Sequence, residues 1–242
     1  MFIFICLMTL SRVEAKHVTL AVGHDHEKML SANYPIYRAN WEFVNESLKR
    51  LGYSVNVTVA PWARAKNLVQ AGIADGLFLA ANLEGREQWA AYSHVLGYGI
   101  FGTFYNTNFP DANSMIASIR LGSHDTLLSH YKSVDVFEVA TAQEGLRLLH
   151  LGKVDRMIMS ESYGEYLLDT ELSHYDGSIE FDLNTIERRT VHIAFAKHQK
   201  SSLDALEIVN RAIELGFEEG LYIPAMERNG VPERMRYHIE ED

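Results

Sequence analysis

The sequence predicts an α/β protein built as two similar lobes, each a mostly parallel sheet flanked by helices, joined by extended crossings. Three observations carry this. Short apolar runs alternate with helical segments whose apolar residues recur every three or four positions. The alternation runs through once, is interrupted by a long glycine-bearing extended stretch at 98–106, and then restarts. A strand and an amphipathic helix are left over at the end. The 242 residues suffice for two lobes of about 100 residues each, and no low-complexity linker separates them.

Residues 18–22 form an apolar run ending at Gly23, a buried-strand pattern. A polar loop to Tyr34 and Pro35 follows. Asn40 is placed to cap a helix carrying Trp41, Val44, Leu48 and Leu51, with Gly52 as its stop. Val55, Val57 and Val59 alternate with polar residues, a half-buried strand. Pro61 opens a helix over 62–71, closed by Gly72, and a third strand covers 75–80. In the second round, strands are predicted at 119–122, 134–139 and 154–159. Helices are predicted at 125–131, at 142–151 behind the capping box Thr141-Ala-Gln-Glu144, and at 161–168. The remaining strand spans 190–196, and Leu203, Leu206, Val209 and Ile213 mark the final helix over 202–215.

Composition narrows the function classes. Hydrophobic residues make up 47% and charged residues 22%, and 12 Tyr, 11 Phe and 3 Trp supply a core, which excludes a disordered chain. Lys plus Arg total 22 against 32 Asp plus Glu, a net charge of -10 that disfavours nucleic acid as a partner. Residues 2–10 are apolar but too few to span a bilayer. With Val13-Glu14-Ala15 behind them, 1–15 read as a secretory signal peptide, an N-terminal strand being the alternative. No Lys or Arg precedes the run, unlike the usual leader. Cys6, the single cysteine, lies inside it, and the bulky Ile5 before it disfavours lipid attachment. Removal of 1–15 would leave no cysteine for a disulfide or thiol chemistry.

Several short motifs follow one another at recognisable intervals: Ala60-Pro-Trp-Ala-Arg-Ala65, Ala71-Gly-Ile-Ala-Asp-Gly76, Gly85-Arg86 and Tyr92-Ser93. Tyr34-Pro35, Gly122 with Thr126, Leu151-Gly-Lys-Val-Asp155 and Ile193-Ala-Phe-Ala196 extend the series. Over about residues 18–228 the sequence resembles the bacterial extracellular solute-binding proteins of family 3, which include polar amino-acid receptors of ABC importers. The resemblance implies the type II periplasmic-binding-protein fold, a clamp in which ligand sits between the lobes and hinge closure buries it. It places lobe 1 at 16–103, lobe 2 at 104–190, and a return of the chain to lobe 1 at 191–242. It also implies a periplasmic location, a membrane importer permease or sensor as partner, a monomer, and neither a cofactor nor catalysis.

The same resemblance marks candidate ligand-binding residues. Arg86 falls where the family grips the ligand's carboxylate, and a planar guanidinium suits two parallel charge-assisted bonds; pairing with Glu84, Glu87 or a surface group is the alternative. Thr126 falls at the start of a lobe 2 helix, where its N–H and hydroxyl can donate to an anion, or where it simply caps the helix. Asp25 and Tyr34 match the cleft-facing loop after the first strand. Tyr34 and Trp62 are rings able to stack on a ligand, and Trp62 is equally suited to anchor the core.

Two departures bear on the ligand. Leu79-Ala80-Ala81-Asn82 lacks the Ser or Thr that amino-acid binders carry before the arginine. The acidic residue that holds an ammonium is replaced by Ser160, with Glu161 beside it. His24-Asp25-His26-Glu27 has metal-ligand chemistry, but it is one loop cluster without a second ligand pair. The sequons at Asn45 and Asn56 fall within predicted regular structure and read as chance. Two other functions compete: an enzyme on the same scaffold acting on cyclic carboxylates, and a sensor that passes a ligand signal to a membrane protein.

Overall fold

The computed structural model describes residues 16–119, 131, 134–175, 177–184 and 186–238. The first round of alternation builds β1 (Lys16–Val22), α1 (His26–Ser31), α2 (Pro35–Arg50), β2 (Tyr53–Val59), α3 (Trp62–Gln70), β3 (Gly76–Ala81) and β4 (Ala90–Tyr92). The long strand β5 (Gly97–Asn106) leads into β6 (Met115–Ile119), β7 (Asp135–Val139), α4 (Ala142–His150), β8 (Arg156–Ser160), α5 (Glu161–Asp169) and β9 (Ile179–Phe181). The return is β10 (Glu187–Ala196), α6 (Lys200–Glu218) and α7 (Tyr222–Arg228).

The strands join in one sheet of order β2-β1-β3-β10-β5-β8-β6-β7, with β4 on β10 and β9 on β5. Pairing is parallel among β2, β1 and β3 and again among β7, β6 and β8. Parallel pairing needs crossover connections, and α1 and α2 lie between β1 and β2, α3 between β2 and β3, and α4 between β7 and β8. β5 and β10 connect the two parallel groups. Residues 97–101 of β5 pair with β10, and 101–105 pair with β8.

Packing follows from the apolar stripes. α2 buries Ile36, Phe43, Val44 and Leu48 against the sheet, and each such side chain contributes about 2 kcal/mol on leaving water. α6 crosses α2 at Gly216, where a Cβ would land on Ser47 and Phe43. In the second lobe Gly164 of α5 sits directly on the Phe104 ring. Thr141 caps α4 by accepting from the Glu144 N–H at 3.1 Å, while the Glu144 carboxylate accepts from the Ala140 N–H at 2.9 Å. Among the described residues no helix is long and apolar enough to cross a membrane.

Several expected elements shift. Asn40 does not cap α2: the helix opens five residues earlier, at Pro35, whose fixed φ and missing N–H suit a first helical position. Asn40 lies buried inside it and donates to the Ile36 carbonyl at 2.8 Å. The expected polar loop contains the short helix α1. Among the described residues β2 is an edge strand, so its valine alternation does not bury: Val59 remains 50% exposed. The strand expected at 119–122 is described only at residue 119, the last residue of β6, which opens at Met115; 120–122 lie outside the described residues. The expected helix at 125–131 and the leader at 1–15 lie outside the described residues, except for residue 131.

Candidate functional site

In an open sheet of parallel strands, loops that leave the carboxyl ends are the places where polar groups can converge without disturbing the ladder. Asp25 follows β1, Trp62 follows β2, Arg86 follows β3, and Ser160 and Glu161 stand at the end of β8. Thr126 lies outside the described residues.

Three of these residues meet between the lobes. Tyr34 begins α2, and its ring stacks on Tyr166 of α5 at 5.5 Å with 17° between planes. Burial raises the Tyr34 hydroxyl well above its ordinary pKa, while a hydrogen bond with Ser160 opposes that rise. Ser160 also caps α5, accepting from the Tyr163 N–H at 3.3 Å. Asp25 is 4% exposed; one carboxylate oxygen accepts from the Tyr163 hydroxyl at 3.2 Å and the other faces His24 Nε2 at 2.9 Å. Burial likewise drives the Tyr163 hydroxyl upward, helped by the Asp25 charge.

Glu161, only 2% exposed, turns to a different partner. Its Oε1 pairs with Arg234 at 2.7 Å, and Oε2 has no hydrogen-bond partner among the described residues. Arg234 lies in the 3₁₀ turn Glu233–Met235, in the segment that follows α7. Glu165, one helical turn further along α5, is raised by burial and then by the Glu161 charge.

Arg86 occupies a separate corner. It is 4% exposed in the 3₁₀ turn Arg86–Gln88 and donates from Nη1 to the Ala81 carbonyl at 2.6 Å. Its Nε has no hydrogen-bond partner among the described residues, and burial raises the neighbouring Tyr92 hydroxyl, with the Arg86 charge and a main-chain bond at Leu83 opposing. Desolvation lowers the Arg86 pKa, partly offset by Tyr92. The acceptor that Arg86 finds is thus a main-chain carbonyl and neither Glu84 nor Glu87. The strand that delivers Arg86 carries Leu79 at φ +54, a left-handed conformation unusual for a branched side chain. Beside it the pairing of β3 with β10 shifts register between His192 and Ala194. Trp62 packs half-buried against a cluster of small residues that includes Ala60, Ala65, Ala80 and Ala90.

His26 is buried against the Tyr37 hydroxyl at 2.6 Å and the Trp41 ring at 4.5 Å. Among the described residues no group of three or more His, Cys, Asp or Glu side chains could hold a metal ion. Sequence reasoning missed Tyr163, Tyr166 and Arg234. The two tyrosines stand three apart on one helix and so share a face, a signal that was available. Arg234 carried none, because its partner is 73 residues away.

No family model matches the chain, and no curated protein matches it in sequence. Solved structures do. A histidine kinase sensor domain described as similar to periplasmic binding proteins aligns at TM-score 0.71 and 16% identity, covering 88% of this chain and 95% of that one. The chain has the periplasmic-binding-protein fold. An amino acid ABC transporter substrate-binding protein from Streptococcus pneumoniae, bound to L-arginine, aligns at TM-score 0.65 and 14% identity over 88% and 93% of the two chains. The GluR0 ligand-binding core from Nostoc punctiforme, in complex with L-glutamate, aligns at 0.65 and 13% over 89% and 100%. The transporter proteins among these neighbours belong to the group that the sequence motifs resemble. The same fold thus appears in a sensor domain, in a transporter substrate-binding protein and in the GluR0 ligand-binding core.

Proposed function

We propose that the chain is a periplasmic binding protein that captures a small polar solute bearing a carboxylate between two lobes and hands it to a membrane importer. In this reading 1–15 is a cleaved leader, 16–103 with 191–242 forms one lobe, and 104–190 forms the other. The observation that carries the proposal is Arg86. A buried guanidinium that, among the described residues, bonds only to a neutral carbonyl and leaves Nε uncommitted is costly unless an anion completes it. A ligand carboxylate would supply that charge and accept from the planar edge.

The test is a thermal-shift screen with amino acids, polyamines, small carboxylates and aromatic acids, followed by calorimetry on Arg86→Ala and Arg86→Lys. A carboxylate ligand at 100 times its Kd stabilises the protein by about 2.7 kcal/mol. Arg86→Ala is expected to weaken its binding by about 2–5 kcal/mol, with Arg86→Lys recovering only part. Unchanged affinity removes Arg86 from the site, and a screen without any carboxylate hit removes the proposal.

A second reading has its own support: the sensor domain aligns at TM-score 0.71, against 0.65 for the arginine-bound transporter protein. A sensor would bind its ligand with the same residues but would bring down a membrane signalling protein, not a permease, in ligand-dependent pull-downs. An enzyme on this scaffold would show turnover of prephenate-like acids.

A further inference from the structure

We infer that the lobes are latched shut by the chain's own side chains, a device that stands on the two-lobe fold and not on the identity of the ligand. In a hinged clamp the closed state is held by contacts that the open state lacks, and a bound solute ordinarily provides them. Here the chain provides them at three places. In the middle, four tyrosines stack as Tyr37, Tyr34, Tyr166 and Tyr163, two from each lobe, with successive centroids 5.6, 5.5 and 6.1 Å apart and planes within 25°. The Tyr163 hydroxyl ties this stack to Asp25 of the opposite lobe. On α1, Lys28 pairs with Glu171 at 2.9 Å. Towards the crossing strands, Arg234 pairs with Glu161, and the Ser162 hydroxyl lies 3.7 Å from the Met235 sulfur.

These contacts join the two sides of the cleft, so opening works against the stack, the Asp25 bond and the Lys28–Glu171 pair together. Solute entry then waits for the latch to release, and the apparent affinity is lowered by the fraction of molecules that are open. Tyr34 and Asp25 serve both as latch and as candidate ligand contacts, so solute and latch compete for them.

The test is a distance measurement by double electron–electron resonance on the full chain without added solute. Spin labels are placed at Ile73→Cys and Leu151→Cys in a Cys6→Ser background. Both labelled positions are exposed, one in each lobe, at the loops that precede β3 and β8. The unmodified latch should give one short-distance population. Tyr34→Ala with Tyr166→Ala should raise the open population about tenfold or more, since one stacked aromatic pair and its burial are removed. Lys28→Glu, an exposed change that leaves the core intact, should open a smaller fraction, and Lys28→Glu with Glu171→Lys should close it again. A starting distribution already as long as that of the tyrosine variant overturns the latch. So do identical distributions in all variants, or failure of the charge swap to reverse the Lys28→Glu effect.

Discussion

In the first lobe Asp75, just before β3, accepts from the Thr19 N–H at 2.7 Å and returns its own N–H to the Thr19 carbonyl at 2.8 Å. In the second lobe Asp155, just before β8, does the same to Met115, with its carboxylate accepting from both Ser114 and Met115 at 2.7 and 3.0 Å. Each lobe thus uses one aspartate after a helix-closing glycine to pin its first parallel strand, at Thr19 in the middle of β1 and at Met115 where β6 begins. The lobes diverge at the other end of the same strands. β3 bends through Leu79 and delivers a buried cation, Arg86. β8 runs straight into α5 and delivers a buried anion, Glu161. The distal ends repeat because they solve a folding problem; the cleft ends differ because they carry whatever the lobes do separately.

The largest effects should come from the close helix contacts. Gly164→Leu and Gly216→Leu each overpack one lobe and should cost about 3 kcal/mol. Trp41, Trp62 and Trp89 all lie in the first lobe, so tryptophan fluorescence follows that lobe while circular dichroism follows both. Coincident transitions in both variants are expected because one sheet runs through the molecule. Separated transitions would mean that the lobes melt independently.

Removing the paired aspartates should cost less, and unequally. Asp155→Ala forfeits two charge-assisted bonds, one of them exposed, and should lose about 2 kcal/mol, against about 1 kcal/mol for Asp75→Ala with one. Equal losses in urea titrations would show that the second bond contributes nothing.

A pH dependence separates the cleft ends. His192 Nδ1 lies 2.7 Å from the Ser93 carbonyl, which can only accept, so Nδ1 carries the proton and Nε2 accepts from the Thr190 hydroxyl at 2.9 Å. Burial lowers its folded pKa below 6.5, with the main-chain bonds opposing. The unfolded chain therefore takes up the proton first. The contribution of His192 to stability is full above pH 6.5, falls as the pH drops through 6.5 towards the depressed folded value, and then levels off. His192→Asn should flatten that part of the stability profile relative to the parent protein; an unchanged slope would dissociate His192 from it.

The smallest effect concerns the bend. Leu79→Gly relieves a left-handed φ while losing a half-buried side chain, so it should stay within about 1 kcal/mol of the parent. Leu77→Ala, two residues earlier on the regular part of β3, should cost about 3 kcal/mol. A comparable loss at both positions in thermal unfolding would mean that the bend stores no strain.

Much of the β-α order was legible in the sequence because local periodicity encodes it: the Thr141 cap, the α6 stripe and the extended residues 98–106 all appear where expected. What failed was contextual. Whether Val57 and Val59 are buried depends on whether another strand pairs beyond β2, and none does among the described residues. Six residues of α1 are too few to show a helical period. The candidate residues Asp25, Tyr34, Arg86 and Glu161 proved buried polar or aromatic groups, but their neighbours were not readable. The stack of Tyr34 on Tyr166 joins distant stretches of the chain through a relation between lobes that no local pattern records.

β5 pairs with β10 along 97–101 and with β8 along 101–105, so the lobes cannot slide past each other without breaking a ladder of main-chain bonds. Rotation is the inexpensive motion. Gly97, Gly99 and Gly102 thin the strand where it passes from one set of partners to the other, so bending should concentrate there. In the hinged reading proposed above, β5 and β10 would act as a torsion bar shared by two bodies. Twist applied at either end is transmitted to the other, which makes the first residues of β5 the place where a substitution would change the stiffness of the molecule without touching either cleft wall.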